Sequence, residues 1–525
     1  MDKPLRPTFV LVLHVCVHLA STIRPPLDQP NIIIFLADDM GYGDLSSYGH
    51  PTQEFGPIDQ MGREGMRFTQ WYAPAMFCTP SRGAMLTGRY PVRVGLYSDR
   101  QPPFPVFIDR SSTGLPKEEI TVAEALKSLG YATGMVGKWH LGINEFNATD
   151  GSHLPMHHGF DFVGTTLPFS NLWRCDRTKK LAPSPDRSSC FLYYNDTIVQ
   201  QPFSPDNLTS ALLLDAKAFV YDHQHQPFFF YFSFPHPHSY MFSSDAFKNS
   251  SRRGLYGDNM NEMGWAVGEM LQLLRDLHLE RNTLAIFLSD HGPERELCKE
   301  GGVSGPLKGW KGHTWEGGVR VPSIAWWPGT IPADTTNHEV ISSMDLFSLA
   351  IDLAGGALPT DRIIDGRSIK EVLVEGAKSP HEVLFHYCGY RVMAVQYGKY
   401  KVHYHTQEVR TDDELATFCG PTGIPDVKVD YHCAECHGAC VTTHNPPLLF
   451  DLDQDPGEEY PLPARDHTDV LQEVARLLAE HNAGMVRGLP LFNDEYMGSP
   501  VGPCCNPPYC WCNGLRDGYM WWWKT

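Results

Sequence analysis

The chain has 525 residues and a formal net charge of −18 at pH 7. This length allows two domains with sizeable cores, and the excess of acidic residues argues against nucleic acid or an anionic membrane as a partner. Because the protein as a whole is negatively charged, any site that binds an anion must be locally rich in cationic side chains.

Residues 1–22 have the pattern of a secretory signal peptide. Lys3 and Arg6 precede an apolar run from Phe9 to Leu19, and two small residues follow that run. The run is too short for a membrane span, and no other segment has the composition of one. We therefore expect an exported, soluble mature protein without a membrane span.

Three apolar runs predict buried strands that carry polar side chains to one edge of a sheet. Open α/β sheets place their ligands at such an edge. With the helical patterns between them, the runs predict an α/β fold, a large mainly parallel mixed β-sheet sandwiched by helices. The runs are Asn31 to Ala37, followed by Asp38 and Asp39; Phe228 to Phe234, followed by His236 and His238; and Leu284 to Leu288, followed by Asp290 and His291.

Asp38, Asp39 and Asp290 should therefore lie close together. Carboxylates about 4 Å apart repel each other by roughly 4 kcal/mol per pair at an effective dielectric constant near 20. Three of them on one edge require a cation or protonation. A hard divalent ion with oxygen ligands is the simpler explanation, and we expect Ca²⁺, with Mg²⁺ as the alternative.

The segment Phe77–Arg82 combines a thiol, a helix start and an arginine. Pro80 and Ser81 favour a helix that begins here, with the positive end of its dipole beside Cys78. Arg82 lies four residues further on, on the same helix face. A lone cysteine of this kind would be interpreted as a buried core thiol. A bare thiol is also a poor nucleophile, because little of it is ionised near neutral pH.

A second domain is predicted after residue 378. There the sequence becomes rich in β-branched residues, tyrosine and cysteine, so we predict a larger domain over 23–378 and a smaller, disulfide-rich α+β domain with an antiparallel sheet over 379–525. The aromatic tail Trp521–Trp523 has packing on this domain as its simplest interpretation.

Cysteines and glycosylation signals both indicate the secretory route. Of 14 cysteines, Cys16 lies in the signal segment and Cys78 in the segment above, which leaves an even number for disulfides. Cys433, Cys436 and Cys440 have a spacing that also suits zinc, but disulfides are the better interpretation in an exported chain. Four N-glycosylation sequons lie at Asn147, Asn195, Asn207 and Asn249.

The segment Cys78-Thr79-Pro80-Ser81-Arg82, followed by Leu86-Thr87-Gly88-Arg89, resembles the C-x-P-S-R and L-T-G-R signature of the type I sulfatases. In that family a converting enzyme oxidises the cysteine to Cα-formylglycine. The resemblance implies a sulfuric ester hydrolase with an alkaline-phosphatase-like fold, whose partners are a sulfate ester and the formylglycine-generating enzyme. It makes Cys78 the source of the nucleophile and Arg82 a catalytic residue.

The resemblance also implies roles around the predicted metal. Asp38, Asp39 and Asp290 match the family's metal ligands, and the modified Cys78 contacts the ion. His291 stands where many members have Asn or Gln as the fourth ligand. Imidazole is a softer ligand than an amide oxygen, so the coordination by His291 is left open.

Further matches imply the sulfate-binding groups. Gly137–Gly142 matches the family's G-K-W-H-L-G element, and Lys311–Arg320 matches its K-G-x-x-x-E-G-G-x-R element. By these matches Lys138 and Lys311 bind sulfate oxygens and His140 holds the formylglycine hydrate. The resemblance also implies that His238 protonates the leaving oxygen. Ser170 is matched less securely, and is either a sulfate contact or a plain loop serine.

The likeness covers residues 30 to 515 and is greatest to the steroid sulfatase and arylsulfatase branch. That branch's membrane form has a hydrophobic hairpin where this chain has the polar interval Leu172–Gln226. We therefore expect a soluble arylsulfatase, secreted or lysosomal. The alternatives are a phosphate or phosphonate ester hydrolase of the same superfamily and a sulfatase-fold matrix or glycan-binding protein with little turnover. The physiological substrate, an aryl, steroid or glycan sulfate, and the oligomeric state are left open.

Overall fold

A computed structural model describes residues 29–99, 106–170, 175, 189–423, 433–493, 496, 501–507, 510 and 512. The predicted signal segment and the tail Trp521–Trp523 lie outside the described residues. Within the described ranges, no helix combines the length and the apolar composition needed to cross a membrane.

The described part of the larger unit is built on a sheet of eleven strands. Its strands are β1 (Asn31–Ala37), β2 (Met66–Tyr72), β3 (Ala132–Lys138), β4 (Phe162–Leu167), β5 (Leu192–Tyr194), β6 (Thr197–Gln200), β7 (Phe228–Ser233), β8 (Thr283–Ser289), β9 (Arg320–Trp326), β10 (Thr335–Asn337) and β11 (Ile341–Ser342). They run in the order β10-β2-β9-β8-β1-β7-β3-β4-β5-β6, with β11 beside β2. The centre from β8 to β4 is parallel, and the pairs that β9 and β5 make are antiparallel. The prediction of a mainly parallel mixed sheet is confirmed.

Helices cover both faces of this sheet. They are α1 (Pro57–Glu64), α2 (Cys78–Thr87), α3 (Val122–Ser128), α4 (Leu208–His223), α5 (Leu255–Asp276), α6 (Glu316–Val319), α7 (Asp345–Leu353) and α8 (Lys370–Glu375). Successive residues of β1 enter opposite cores. Ile34 packs on the side of α3 and α7, and Phe35 packs on the side of α1, α4 and α5. A strand buried on both faces has the continuous apolar sequence seen in β1.

The C-terminal unit is an antiparallel sheet of four strands with two helices, among the described residues. Its elements are β12 (Val383–Cys388), β13 (Arg391–Tyr397), β14 (Tyr400–Gln407), α9 (Asp412–Cys419), β15 (Val441–Asp451) and α10 (Thr468–Gly484). The strands pair in chain order. Val402 and Val474 belong to a core that also contains Tyr90 of the larger unit, so the two units share buried surface.

The predicted elements agree with the structure most closely where apolar runs are sharply bounded. The run Asn31–Ala37 has the bounds of β1, and the run Leu284–Leu288 lies within β8, which is one residue longer at each end. Disulfides were expected for the cysteine clusters, and this is confirmed. The pairs are Cys175–Cys190, Cys298–Cys419, Cys388–Cys436, Cys433–Cys440, Cys504–Cys510 and Cys505–Cys512. Cys78 is the free cysteine of the described residues.

Candidate functional site

The ends of β1, β7 and β8 bring the predicted polar residues to one edge of the sheet. The strands are parallel and in register, with Leu36 beside Ser233 and Ala37 beside Ser289. The amide of Asp38 donates to the carbonyl of His236 at 2.8 Å, and the amide of Asp290 to the carbonyl of Ala37 at 3.1 Å. The chain leaves all three strands at one level, so the side chains that follow converge.

Cys78 is the first residue of α2 and is buried beside these acids. Its Sγ lies 3.2 Å from Nε2 of His291 and 4.0 Å from a carboxylate oxygen of Asp39. The helix is held to the sheet edge by Ser81, whose hydroxyl donates to the carbonyl of Asp290 at 2.5 Å. Burial raises the pKa of the Cys78 thiol well above its ordinary value. An unmodified thiol would therefore stay protonated here and be a weak nucleophile.

Arg82 bridges two of the predicted metal ligands from within α2. Its Nε and Nη2 atoms donate to one oxygen of Asp290 at 3.1 and 2.9 Å, and Nη2 also donates to Asp38 at 3.0 Å. Nη1 donates to the hydroxyl of Ser233 at 2.6 Å. The guanidinium is completely buried, so its charge is balanced inside the protein and it fixes the two carboxylates relative to the helix that carries Cys78.

Lys138 and Lys311 point into the same cluster. The ammonium of Lys138 lies 2.6 Å from both oxygens of Asp38, and that of Lys311 lies 2.6 Å from Asp39. Burial raises the pKa of Asp38, but the neighbouring positive charges, that of Lys138 foremost, together outweigh it and hold that pKa well below its usual value. Burial also raises the pKa of Asp39, but Lys311 together with His238 and His291 outweighs it, and the pKa of Asp39 is lowered. Both acids are therefore ionised and available as ligands.

His140 is held as a neutral ring. Its Nε2 atom lies 3.0 Å from the carbonyl of Phe107, which can only accept, so the proton is on Nε2. Nδ1 is buried and has no hydrogen-bond partner among the described residues. Burial lowers the pKa of His140 well below its ordinary value. The unpartnered lone pair of Nδ1 can therefore accept a proton or a hydrogen bond from a group in the site.

His238 lies beside Lys311. Its Nδ1 atom bonds the carbonyl of Ser239, and its Nε2 atom lies 3.5 Å from the ammonium of Lys311 and 3.6 Å from Asp39. Burial lowers the pKa of His238 to about 4. The structure thus places the predicted acid next to one of the two predicted sulfate-binding cations.

The side chains around Cys78 fit a divalent cation. Nδ1 of His291 lies 2.8 Å from the carbonyl of Gly292, so it carries the proton and leaves the Nε2 lone pair for the site. Asp39, Cys78 and His291 offer ligand atoms within 4.8 Å of one another, and so do Asp38, Cys78 and Asp290. Carboxylate oxygens with one imidazole are a donor set that a hard divalent ion accepts.

The other residues named by the sequence analysis are Ser170 and the four sequon asparagines. Ser170 follows β4, and its hydroxyl is buried without a hydrogen-bond partner among the described residues, so no contact joins it to the cluster. The four sequon asparagines are exposed on the surface, as a glycan requires. They are Asn147, Asn195, Asn207 and Asn249.

Two site residues escaped the sequence analysis. Glu294 is buried, with one oxygen 3.2 Å from the ammonium of Lys311, and burial raises its pKa to about 7. Ser233 ends β7 and accepts from Arg82. The sequence held a weak indication of each. Glu294 is an acid four residues after Asp290 in the same loop, and Ser233 is the hydroxyl residue that ends the phenylalanine-rich strand β7.

Comparisons with known proteins identify the family of this chain. A family model described as Sulfatase matches residues 30–357, and one described as the C-terminal region of aryl-sulfatase matches residues 379–512. An arylsulfatase of Hemicentrotus pulcherrimus is 52% identical over 498 residues, which cover 95% of this chain and 89% of that protein. The steryl-sulfatase of Homo sapiens is 36% identical, over 89% of this chain and 90% of that protein. A solved structure of the PsFucS1 sulfatase from Pseudoalteromonas sp. has a TM-score of 0.71 at 24% identity, over 88% of this chain and 92% of that one, and supports the fold alone. The chain therefore belongs to the sulfatase family and is a sulfuric ester hydrolase.

Proposed function

We propose that this sulfatase is an arylsulfatase that uses formylglycine at position 78. The observation that carries the proposal is the position of Cys78, which forms no disulfide among the described residues. It starts a buried helix and lies 3.2 Å from His291. A buried thiol with a raised pKa has no use as a nucleophile there.

The modified residue would supply the covalent chemistry. As its hydrate, the aldehyde offers one oxygen to attack sulfur and a second whose deprotonation expels sulfate. His140 is the group we assign to this hydrate, because its buried Nδ1 has a lone pair and no partner among the described residues. Its bond to Phe107 keeps that lone pair in a fixed direction.

We assign the metal site to Asp38, Asp39, Asp290 and His291, with the side chain at position 78 as a further contact. The ion is proposed to be Ca²⁺, with Mg²⁺ as the alternative, because most of the donors are carboxylate oxygens. Bound there, a divalent ion would polarise the sulfate and stabilise negative charge on its oxygens. Arg82 keeps Asp38 and Asp290 in place for this ion through the bonds described above.

Sulfate binding is proposed for Lys138 and Lys311. Three carboxylates of the cluster already pair with the cations Arg82, Lys138 and Lys311, so a divalent ion would make the site positive. A positive, water-excluded site suits the monoanion of a sulfate ester and the charge that builds on its oxygens. Ser170 is a candidate for a further sulfate contact.

The proton for the leaving oxygen is assigned to His238. This assignment is supported by the distance of 3.5 Å between its Nε2 atom and the ammonium of Lys311, which is proposed to bind sulfate oxygens. Histidine can exchange a proton in catalysis. Because burial lowers the pKa of His238 to about 4, the ring would hold this proton increasingly as the pH falls, as it does in an acidic compartment.

The biological setting is proposed from the same features. We propose a secreted protein, with a lysosomal location as the alternative, modified by the formylglycine-generating enzyme and glycosylated at the four exposed asparagines. An aryl sulfate is the proposed model substrate. The natural substrate is proposed to be an aryl, steroid or glycan sulfate, and turnover of a panel of these three classes would identify it.

The test is a turnover assay on protein purified from cells that contain the converting enzyme. Nitrophenyl sulfate should be hydrolysed faster than nitrophenyl phosphate, and Cys78→Ala should abolish both reactions. A faster reaction with phosphate would favour a phosphate or phosphonate ester hydrolase. No turnover across aryl, steroid and glycan sulfates would favour a binding protein.

A further inference from the structure

Residues 311–316, here called the Lys311 loop, connect the active site to the C-terminal sheet. The amide of Gly312 donates to the carbonyl of Met76 at 3.1 Å, two residues before Cys78 in sequence. The backbone after Lys311 is thus tied to the segment that leads into the nucleophile. The position of this backbone determines where the ammonium of Lys311 lies relative to Cys78.

Gln407, at the end of β14, holds the loop from the other side. Its side-chain amide donates to the carbonyl of Gly312 at 2.7 Å, and its side-chain oxygen accepts from the amide of Thr314 at 2.9 Å. Its backbone carbonyl accepts from the indole of Trp315 at 2.9 Å. Gln407 is 2% exposed, so water cannot replace these bonds.

The C-terminal unit packs closely against the Lys311 loop. Gly312 has a φ of +93°, and a Cβ at this position would lie 2.6 Å from the Cβ of Ala434 in the C-terminal unit. The side-chain amide of Gln407 also donates to the carbonyl of Glu435 at 3.3 Å. The C-terminal segment therefore closes over the turn that follows Lys311.

We propose that Gln407 is a positioning residue that sets the place of Lys311 in the sulfate site. Without its amide, the carbonyl of Gly312 and the amide of Thr314 lose partners inside the protein, which is costly. The loop would turn to recover them and would carry the Lys311 backbone with it. An error of about 1 Å in a catalytic group costs on the order of a hundredfold in rate. The inference rests on the role in sulfate binding proposed for Lys311.

The experiment compares Gln407→Met with Lys311→Ala and with the double variant. Methionine keeps the volume of the side chain and removes both bonds to the loop. We expect kcat/KM for nitrophenyl sulfate to fall roughly tenfold to a hundredfold in Gln407→Met and no further fall when the change is added to Lys311→Ala. The inhibition constant of inorganic sulfate should rise in Gln407→Met. Rates are expressed per folded protein.

Val402→Ala is the matched control. Val402 lies on the same strand, is completely buried and belongs to the core packed around α10. It should lower the melting temperature and leave kcat/KM and the sulfate inhibition constant unchanged. Should Gln407→Met not yield folded protein, Gln407→Glu keeps the acceptor for Thr314 and tests the same coupling.

Two results would overturn the inference. One is wild-type kcat/KM in the folded Gln407 variant, and the other is a loss that multiplies fully with that of Lys311→Ala, because independent effects add in free energy. Full activity of Lys311→Ala alone would instead remove the proposed sulfate-binding role of Lys311, and with it the coupling. The single variants thus separate failure of the positioning from failure of the proposed function.

Discussion

Nε2 of His291 lies 3.2 Å from Sγ of Cys78. Nδ1 of the same ring is tied to the carbonyl of Gly292 at 2.8 Å, so the ring cannot turn without losing this bond. The proton on Nδ1 leaves Nε2 as a lone pair that faces the side chain at position 78. A histidine can therefore take the place of the amide ligand that many sulfatases have here.

The first prediction concerns this fourth ligand. His291→Asn should lower kcat/KM by less than roughly tenfold, because an amide oxygen can also reach a hard ion. Asp290→Ala should cost roughly a hundredfold or more, since it removes a proposed metal ligand and leaves Asp38 as the remaining carboxylate partner of the buried Arg82. The rates and the bound metal content of both variants would be measured. A His291→Asn protein as damaged as Asp290→Ala would contradict the ranking.

The second prediction concerns metal removal. Chelation should abolish activity and lower the melting temperature, because an ion bound only to the folded state stabilises it by about 2.7 kcal/mol at a hundred times its Kd. Added Ca²⁺ should restore more of the melting temperature than Mg²⁺. Asp290→Ala serves as the control, and its melting temperature should hardly respond to the chelator. Full activity after exhaustive chelation would refute the metal site.

The third prediction concerns the side chain at position 78. In protein from cells with the converting enzyme, mass spectrometry of the peptide that contains Cys78 should find the aldehyde in place of the thiol. Protein from cells that lack the enzyme should contain the thiol and be inactive, because the raised pKa keeps it protonated. Active protein whose position 78 is entirely unmodified would remove formylglycine from the mechanism.

The sequence predicted the sheet edge well because a buried parallel strand has a local signature. Asp38 and Asp290 follow apolar runs directly, and parallel strands place such residues side by side. Gln407 could not be found in this way, since its partner Thr314 is 93 residues away. Neither residue has a local pattern that marks the contact. Only the way the C-terminal sheet packs on the larger unit brings them together.

The fourth prediction concerns acid stability and Glu316, which is buried against Lys401 at 2.7 Å. Burial raises its pKa, but Lys401 and Arg320 outweigh it and lower the pKa to about 2. A depressed carboxyl pKa stabilises the fold fully above the unfolded value near 4.5 and loses this effect as pH falls towards 2. The effect is on the order of 3 kcal/mol at neutral pH.

Glu316→Gln should therefore lower the melting temperature at pH 7. The difference in melting temperature between this variant and the wild type should stay constant down to about pH 5 and become smaller below it. Thermal unfolding across this pH range would measure it, with Glu480→Gln on the exposed face of α10 as the control that shows no such difference in melting temperature. A difference in melting temperature that becomes larger in acid would contradict the ionised state of Glu316.

The fifth prediction separates the acid from the sulfate-binding cations. If His238 protonates the departing oxygen, its loss should matter most when that oxygen is a poor leaving group. His238→Ala should therefore slow an alkyl or steroid sulfate at least roughly tenfold more than nitrophenyl sulfate, whose leaving oxygen hardly needs a proton. Equal losses on both substrates would take His238 out of this role.

Lys138→Ala and Lys311→Ala are the matched comparison for that experiment. Both lysines are assigned to the sulfate group, which every substrate shares, so each variant should slow all substrates by similar factors. Of the two lysines, Lys311 is the alternative candidate for the proton donor, because its ammonium lies 3.5 Å from Nε2 of His238. The ammonium of Lys138 contacts Asp38 instead. A Lys311 variant that discriminates between leaving groups as strongly as His238→Ala would make Lys311 the proton donor and His238 its neighbour. The same discrimination in Lys138→Ala, whose ammonium bonds Asp38, would refute the division between acid and sulfate-binding residues altogether.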